Sequence, residues 1–276
     1  MARCGCPPPA ATGVASAADP RGGRSATRSH PPPLAARISG VNRRAFVLFA
    51  LLAPACTSEP VVTGDAPTST HAVSAAAPPS GPPVRYLALG DSFTAGTGSS
   101  PDQAFPVRLA ARLRARGAAV TLENLGVNGY TTDDLVAREL PRVASFAPTM
   151  VTLAIGANDL VRGSPLERYR AQVRGILAAI VAAGVPAARV YVLPQPDWSR
   201  SPVAADFGEP GAIRANIEAF NDALRAEAGA VGARWVDLFP TMRREAEAGM
   251  IARDGLHPSA AAYDAWAEVL LGQVAP

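Results

Sequence analysis

The chain has 276 residues, 48% of them hydrophobic, with 26 basic and 23 acidic side chains. Every basic residue is arginine; seven of them, against the single acid Asp19, precede Cys56, which leaves 19 basic and 22 acidic side chains from Cys56 onward. The basic character therefore belongs to the leader and gives no argument for a nucleic-acid partner.

The three cysteines are Cys4, Cys6 and Cys56, so no disulfide framework and no thiolate chemistry is available further along the chain. Cys4 and Cys6 have no second pair or histidine partner at metal-ligand spacing, and no metal is expected.

Residues 1–40 are rich in Pro, Ala, Arg, Ser and Gly without apolar periodicity, a composition that cannot bury a core and reads as disordered or untranslated. Arg43-Arg44, the apolar run Ala45–Ala53 and the small-residue site Ala53-Pro54-Ala55 have the three parts of an export signal. The run is too short to span a bilayer, which takes about 20 apolar residues. Arg43-Arg44 with Phe46 resembles a twin-arginine signal, with Asn42 where Ser or Thr is more usual. The long lead before Arg43 places the expected translation start near Val41. Leu52–Cys56 resembles a bacterial lipoprotein box, with Ala53 where Leu is usual. Both cleavage readings share the Ala55–Cys56 bond. Residues 1–55 are thus read as leader and export signal of a bacterial protein, secreted or held at the membrane through a lipidated Cys56. Residues 56–83 read as a Thr/Ser/Pro/Ala tether, and 84–276 as one domain, expected as a monomer.

Within that domain the pattern alternates. Strands are expected over Val84–Gly90, Ala118–Asn124, Met150–Ile155, Arg189–Leu193 and Arg234–Phe239. Helices are expected over Phe105–Arg116, Thr132–Val143, Leu166–Ala183, Ile213–Ala228 and Ser259–Leu271, the third with Val173, Ile176, Leu177 and Ile180 at helical spacing. This order predicts an α/β fold: a five-stranded parallel sheet covered on both faces, in flavodoxin-like arrangement.

Carboxyl ends of parallel strands gather at one edge, so the loops after them should converge. After the first strand comes Gly90-Asp91-Ser92, which puts a serine where it can act as a nucleophile if a base is near. Gly-Asp-Ser alone is equally a turn and helix cap. His257 is the only histidine after His71, hence the sole imidazole available to Ser92 within the domain. Asp254, three residues earlier, is within reach of the other ring nitrogen and would fix its tautomer. Pro258 holds His257 extended and can open the last helix. Gly129 and Asn158, in the loops after the second and third strands, are candidate donors to a developing oxyanion, with the Ser92 amide as a third. Singly, each suits an ordinary turn.

Taken in order, Gly90-Asp91-Ser92, Asn124 with Gly129, Gly156-Ala157-Asn158-Asp159 and Asp254 with His257 resemble the four blocks of the SGNH (GDSL) hydrolase family. Phe93 stands where Leu is commoner. The resemblance implies a three-layer α/β/α fold and cleavage of ester or related acyl bonds. Ser92 would be nucleophile, His257 base and Asp254 its partner, with the Ser92, Gly129 and Asn158 amides as oxyanion hole. It implies a small acyl-ester or lipid substrate and no cofactor; lipid, lysophospholipid, short-chain and carbohydrate esters and thioesters all fit.

Competing readings lack their marks. There is no Gly-x-Ser-x-Gly elbow, Gly96-Thr97-Gly98 lacks a dinucleotide fingerprint's third glycine, and the chain has no lysine for a phosphate loop. A surface binding protein on an inactive scaffold would be expected to lack one of the four polar site residues. Trp198 and Phe207, in the long segment Pro194–Gly211, are candidates to wall the acyl pocket; they suit a packed surface loop equally. The targeting reading predicts that natively exported protein begins at Cys56. Intact mass checks this: a retained Arg43-Arg44 segment contradicts it, and an added diacylglycerol mass selects the lipoprotein form.

Overall fold

The computed structural model describes residues 82–274. The leader, the export signal, Cys56 and nearly all of the tether lie outside the described residues. Five strands form one parallel sheet in the order β2-β1-β3-β4-β5: β1 (Val84–Gly90), β2 (Val120–Asn124), β3 (Met150–Ala154), β4 (Val190–Val192) and β5 (Arg234–Trp235). Strands buried on both faces alternate between two cores. Tyr86 and Ala88 of β1, with Tyr191 of β4, enter one core; Leu87 and Leu89, with Val190 and Val192, enter the other. Alternation with a period of two makes this division automatic once the register is set.

Helices α2 (Phe105–Ala115), α8 (Phe239–Glu247) and α9 (Ala260–Gln273) cover the first face. The other is covered by α3 (Thr132–Arg138), α4 (Leu140–Phe146), α6 (Leu166–Ala182) and most of α7 (Pro210–Ala230). In α6 the buried side chains are Tyr169, Val173, Ile176, Leu177 and Ile180, one stripe at helical spacing. Fully burying such an aliphatic side chain contributes about 1.5–3 kcal/mol. The buried carboxylate of Glu227 in α7 accepts from Arg170 Nε (2.7 Å) and Arg174 Nε (2.8 Å), tying α7 to α6.

The expected three-layer flavodoxin-like order is therefore present, with four local differences. The helix expected over Thr132–Val143 is two helices that meet at Glu139. Pro141 lies in the first turn of α4, where its missing N–H is harmless; inside a continuous helix it would break the ladder. The fifth strand stops at Trp235, because α8 starts at Phe239, directly after Leu238, with Pro240 in its first turn; buried Val236 and Leu238 give the segment a strand-like alternation. Pro194–Gly211 carries short 3-10 turns at Trp198–Arg200 and Ala204–Asp206, and α7 begins at Pro210 with Glu209 accepting from the Ala212 amide. Finally, Ser259 and not Pro258 caps α9, its hydroxyl accepting from the Ala262 amide.

From β1 the chain proceeds through α2 on one face, and from β3 through α6 on the other. The gap beyond β1 and β3 is therefore the switch point where open α/β sheets hold ligands.

Candidate active site

The turn after β1 is set by crowding. Gly90 adopts φ +149°, and a Cβ there would lie 2.1 Å from the Ala154 carbonyl oxygen and 2.4 Å from Thr94 Oγ1. No side chain fits. Asp91 follows with its Oδ1 accepting from the Phe93 amide at 3.0 Å, capping the single-turn helix α1 (Ser92–Ala95). Ser92, only 8% exposed, is thus presented at the first helical position.

His257 reaches it from the far end of the chain. Its Nε2 lies 2.9 Å from Ser92 Oγ, and its Nδ1 lies 2.7 Å from Asp254 Oδ2. The other Asp254 oxygen accepts from the Leu256 (2.9 Å) and His257 (3.0 Å) amides. Burial alone would raise the Asp254 carboxyl, but these two amides and the imidazole outweigh it and hold the group below its ordinary value. Asp254 is therefore an anion facing the ring. The loop is clamped by an antiparallel bridge between Ile251 and Pro258, with the Ala252 amide on the His257 carbonyl at 2.7 Å. The Phe93 ring packs against the imidazole at 5.5 Å between centroids.

The loops after β2 and β3 join the same group. The Val127 amide donates to the Gly90 carbonyl (3.3 Å), docking the Gly129 loop on the turn that carries Ser92. Asn158 Nδ2 donates to the Tyr130 carbonyl (3.0 Å), and Arg162 Nη2 to the Gly129 carbonyl (2.7 Å). Gly129 itself sits at φ +82°. Among the described residues no protein acceptor takes the Ser92 or Gly129 amide hydrogen. One hydrogen of the Asn158 amide is committed to Tyr130, and the second is available to a ligand.

Several supporting residues carried no separate signal in the sequence. Asp159 accepts from Thr132 through both its amide (2.9 Å) and its hydroxyl (2.5 Å), stapling the Asn158 segment to the start of α3. The Tyr169 hydroxyl donates to the Ile155 carbonyl (3.0 Å), and its ring leaves Gly156 no room for a Cβ. Asp159 and Arg162 sit within or next to the Gly156 block, so their neighbourhood was legible though their partners were not. Tyr169 lies on the buried stripe of α6.

Trp198 is buried in the core, its Nε1 donating to Gln195 Oε1 at 3.2 Å, with the Phe207 ring edge-on at 5.6 Å. Trp198 lines a small cavity with Met242, Met250, Leu256, Pro258 and Trp266, behind the histidine loop. Its lining includes Leu256 and Pro258, which flank His257, but not Phe207, Ser92, Gly129 or Asn158. No group of three or more His, Cys, Asp or Glu side chains suited to a metal occurs among the described residues.

With this geometry in view, residues 88–265 match the GDSL-like lipase/acylhydrolase family. The chain belongs to this family, the SGNH (GDSL) hydrolases. It is 27% identical over 116 residues to an arylesterase of Vibrio mimicus, spanning 42% of this chain and 58% of that relative, less than two thirds of its length. Among solved structures it resembles TesA, at 26% identity and a TM-score of 0.57, over 68% of this chain and 97% of that one. It also resembles Axe2, an acetylxylan esterase from Geobacillus stearothermophilus, at 19% identity and a TM-score of 0.56, over 69% and 93%.

Burial, with Asp159 nearby, pushes the Asp91 carboxyl up to about 7 against the pull of the Phe93 amide. The folded protein thus keeps on Asp91 a proton that the unfolded chain releases near 3.8. That stabilisation is complete below the unfolded value and is lost as pH rises toward 7. Asp91→Asn should therefore flatten part of the fall in Tm between pH 4 and pH 7, measured against wild type by calorimetry. An unchanged slope contradicts the assignment.

Proposed function

We propose that this chain is a serine hydrolase of carboxylic oxygen esters that works through an acyl-enzyme on Ser92. The observation carrying this reading is the continuous Ser92–His257–Asp254 relay, at 2.9 Å and 2.7 Å. Ser92 Oγ attacks the ester carbonyl while its proton passes to His257 Nε2. The anion of Asp254 stabilises the imidazolium that forms and holds Nδ1 as the donor. Negative charge on the carbonyl oxygen is met by the Ser92 and Gly129 amides and the free hydrogen of Asn158 Nδ2. Collapse breaks the bond to the alcohol, which leaves with the proton from His257. Water then repeats the sequence on the acyl-serine, returning the proton to Ser92.

Val127, exposed at 40%, lies in the loop that carries Gly129, and Val161, exposed at 41%, ends the short helix that carries Asn158; both offer apolar surface to an acyl chain. Export with a tether at Cys56 remains part of the same proposal, and would present the domain to extracellular or membrane-borne esters.

Ser92→Ala and His257→Ala should each nearly abolish turnover, with the double variant little worse, because the two act as one unit. Asn158→Ala should lower kcat by about 10²–10³ with little change in KM, since its hydrogen bond strengthens after charge develops. Asp254→Asn should also be severe. Steady-state kinetics on p-nitrophenyl esters from acetyl to palmitoyl, beside acetylated xylan, measure these effects and locate the chain-length preference. A folded Ser92→Ala or His257→Ala protein with near-normal kcat overturns the mechanism.

A further inference from the structure

We propose that Glu139 is a positioning residue for the nucleophile: its carboxyl replaces a missing strand carbonyl at the end of β1 and holds the turn that carries Ser92. The inference rests on the reading of Ser92 as nucleophile.

Along its edge with β2, strand β1 pairs regularly as far as Ala88 opposite Asn124, with the Leu125 amide on the Ala88 carbonyl at 2.9 Å. The next outward carbonyl, that of Gly90, takes the Val127 amide at 3.3 Å. In a parallel ladder the Gly90 N–H would then donate to the carbonyl of Leu125. Here the chain is leaving the sheet for the Gly129 loop, and Gly126 passes so close to α1 that a Cβ on it would lie 2.5 Å from the Ala95 amide nitrogen. The Gly90 N–H donates instead to Glu139 Oε2, at 2.9 Å, in a buried contact. A side chain thus completes the ladder two residues before Ser92.

Glu139 can reach this position because it is the joint between α3 and α4. Its side chain is almost wholly buried, and among the described residues its Oε1 has no hydrogen-bond partner. That is an arrangement without evident benefit to α3 or α4 themselves, since leaving a carboxyl oxygen unpaired away from water is costly. Burial raises its carboxyl to about 8, against the pull of the Gly90 amide and with Asp91 adding to the rise. Asp91 is the titratable group facing it; Asp159 on α5 (Ala157–Val161) and Tyr169 on α6 face Asp91 in turn. Near pH 7 the carboxyl is a neutral acceptor, a role that glutamine reproduces. Loss of that acceptor frees the Gly90 amide and lets Ser92 drift from His257 Nε2, and a displacement of about 1 Å at a reacting group can cost 10²-fold in rate.

The test compares Glu139→Gln, Glu139→Leu and Glu139→Asp in the full chain, with Ser92→Ala as control, by p-nitrophenyl acetate kinetics and thermal melts. Glu139→Gln should keep kcat within about 3-fold of wild type, and Glu139→Leu should lose about 10- to 100-fold in kcat with KM within about 3-fold. Glu139→Asp, one methylene too short to reach Gly90, should lose kcat in the same direction; it decides the question if the leucine variant does not fold. A folded leucine or aspartate variant with wild-type kcat overturns the inference, as does a glutamine variant that falls as far as leucine. An inactive Ser92→Ala beside an unaffected Glu139 series overturns only the role of Glu139. An active Ser92→Ala overturns the nucleophile assignment and this inference with it.

Discussion

The close approach between the end of β1 and the end of β3 is the constraint on which the site depends. At Gly90 the backbone lies so near the Ala154 carbonyl that a side chain has nowhere to go, and the chain must leave the strand at φ +149°. That conformation is open to glycine and strained for any other residue. The departure turns Asp91 inward as a cap and brings Ser92 to the first position of α1. Because β1 is the second strand in the order and β3 its neighbour, the turn stands at the switch point between the two faces of the sheet.

Around this turn the other loops are tied to one another by polar contacts. Val127 binds the Gly90 carbonyl, Asn158 binds Tyr130, Arg162 binds Gly129, and Asp159 binds Thr132. Each contact ties the loop of one strand to the loop of another, so the proposed oxyanion donors are oriented before substrate arrives. Preorganised donors are worth more than mobile ones, because no reorganisation is needed as charge develops. Several supporting groups are buried carboxyls, Asp91, Glu139 and Asp159, each raised by desolvation. Asp254 differs: two amides and an imidazole hold it below its ordinary value, as the proposed partner of a transient imidazolium requires. Within one small region, the balance of burial against hydrogen bonding decides which carboxyl is raised and which is lowered.

Much of this was legible in the sequence because it rests on local rules. Buried parallel strands read as short apolar runs, and α6 shows its stripe plainly. The order of the Gly-Asp-Ser, Asn-to-Gly, Gly-x-Asn-Asp and Asp-x-x-His blocks pointed to residues that the fold brings to one edge. What escaped depends on distance along the chain. Nothing local marks Glu139 as the acceptor for Gly90, 49 positions away, or Arg162 as the partner of Gly129. Its neighbour Pro141 could have signalled the break between α3 and α4, but the apolar periodicity ran across it. Val236 and Leu238 suggested a longer β5 because buried irregular chain and buried strand share the same alternation. For Trp198 and Phe207 the sequence left pocket wall and packed loop equally open; in the fold the two rings meet edge-on, and Trp198 Nε1 donates to Gln195.

The central claim is that the oxyanion donors are already gathered around Ser92. A crystal structure of the domain inactivated with a small fluorophosphonate tests it most directly. Phosphorus should be bonded to Ser92 Oγ, with the phosphoryl oxygen within about 3 Å of the Ser92 amide, the Gly129 amide and Asn158 Nδ2. An adduct on another residue, or a phosphoryl oxygen turned to solvent with Gly129 and Asn158 left unengaged, would contradict the account.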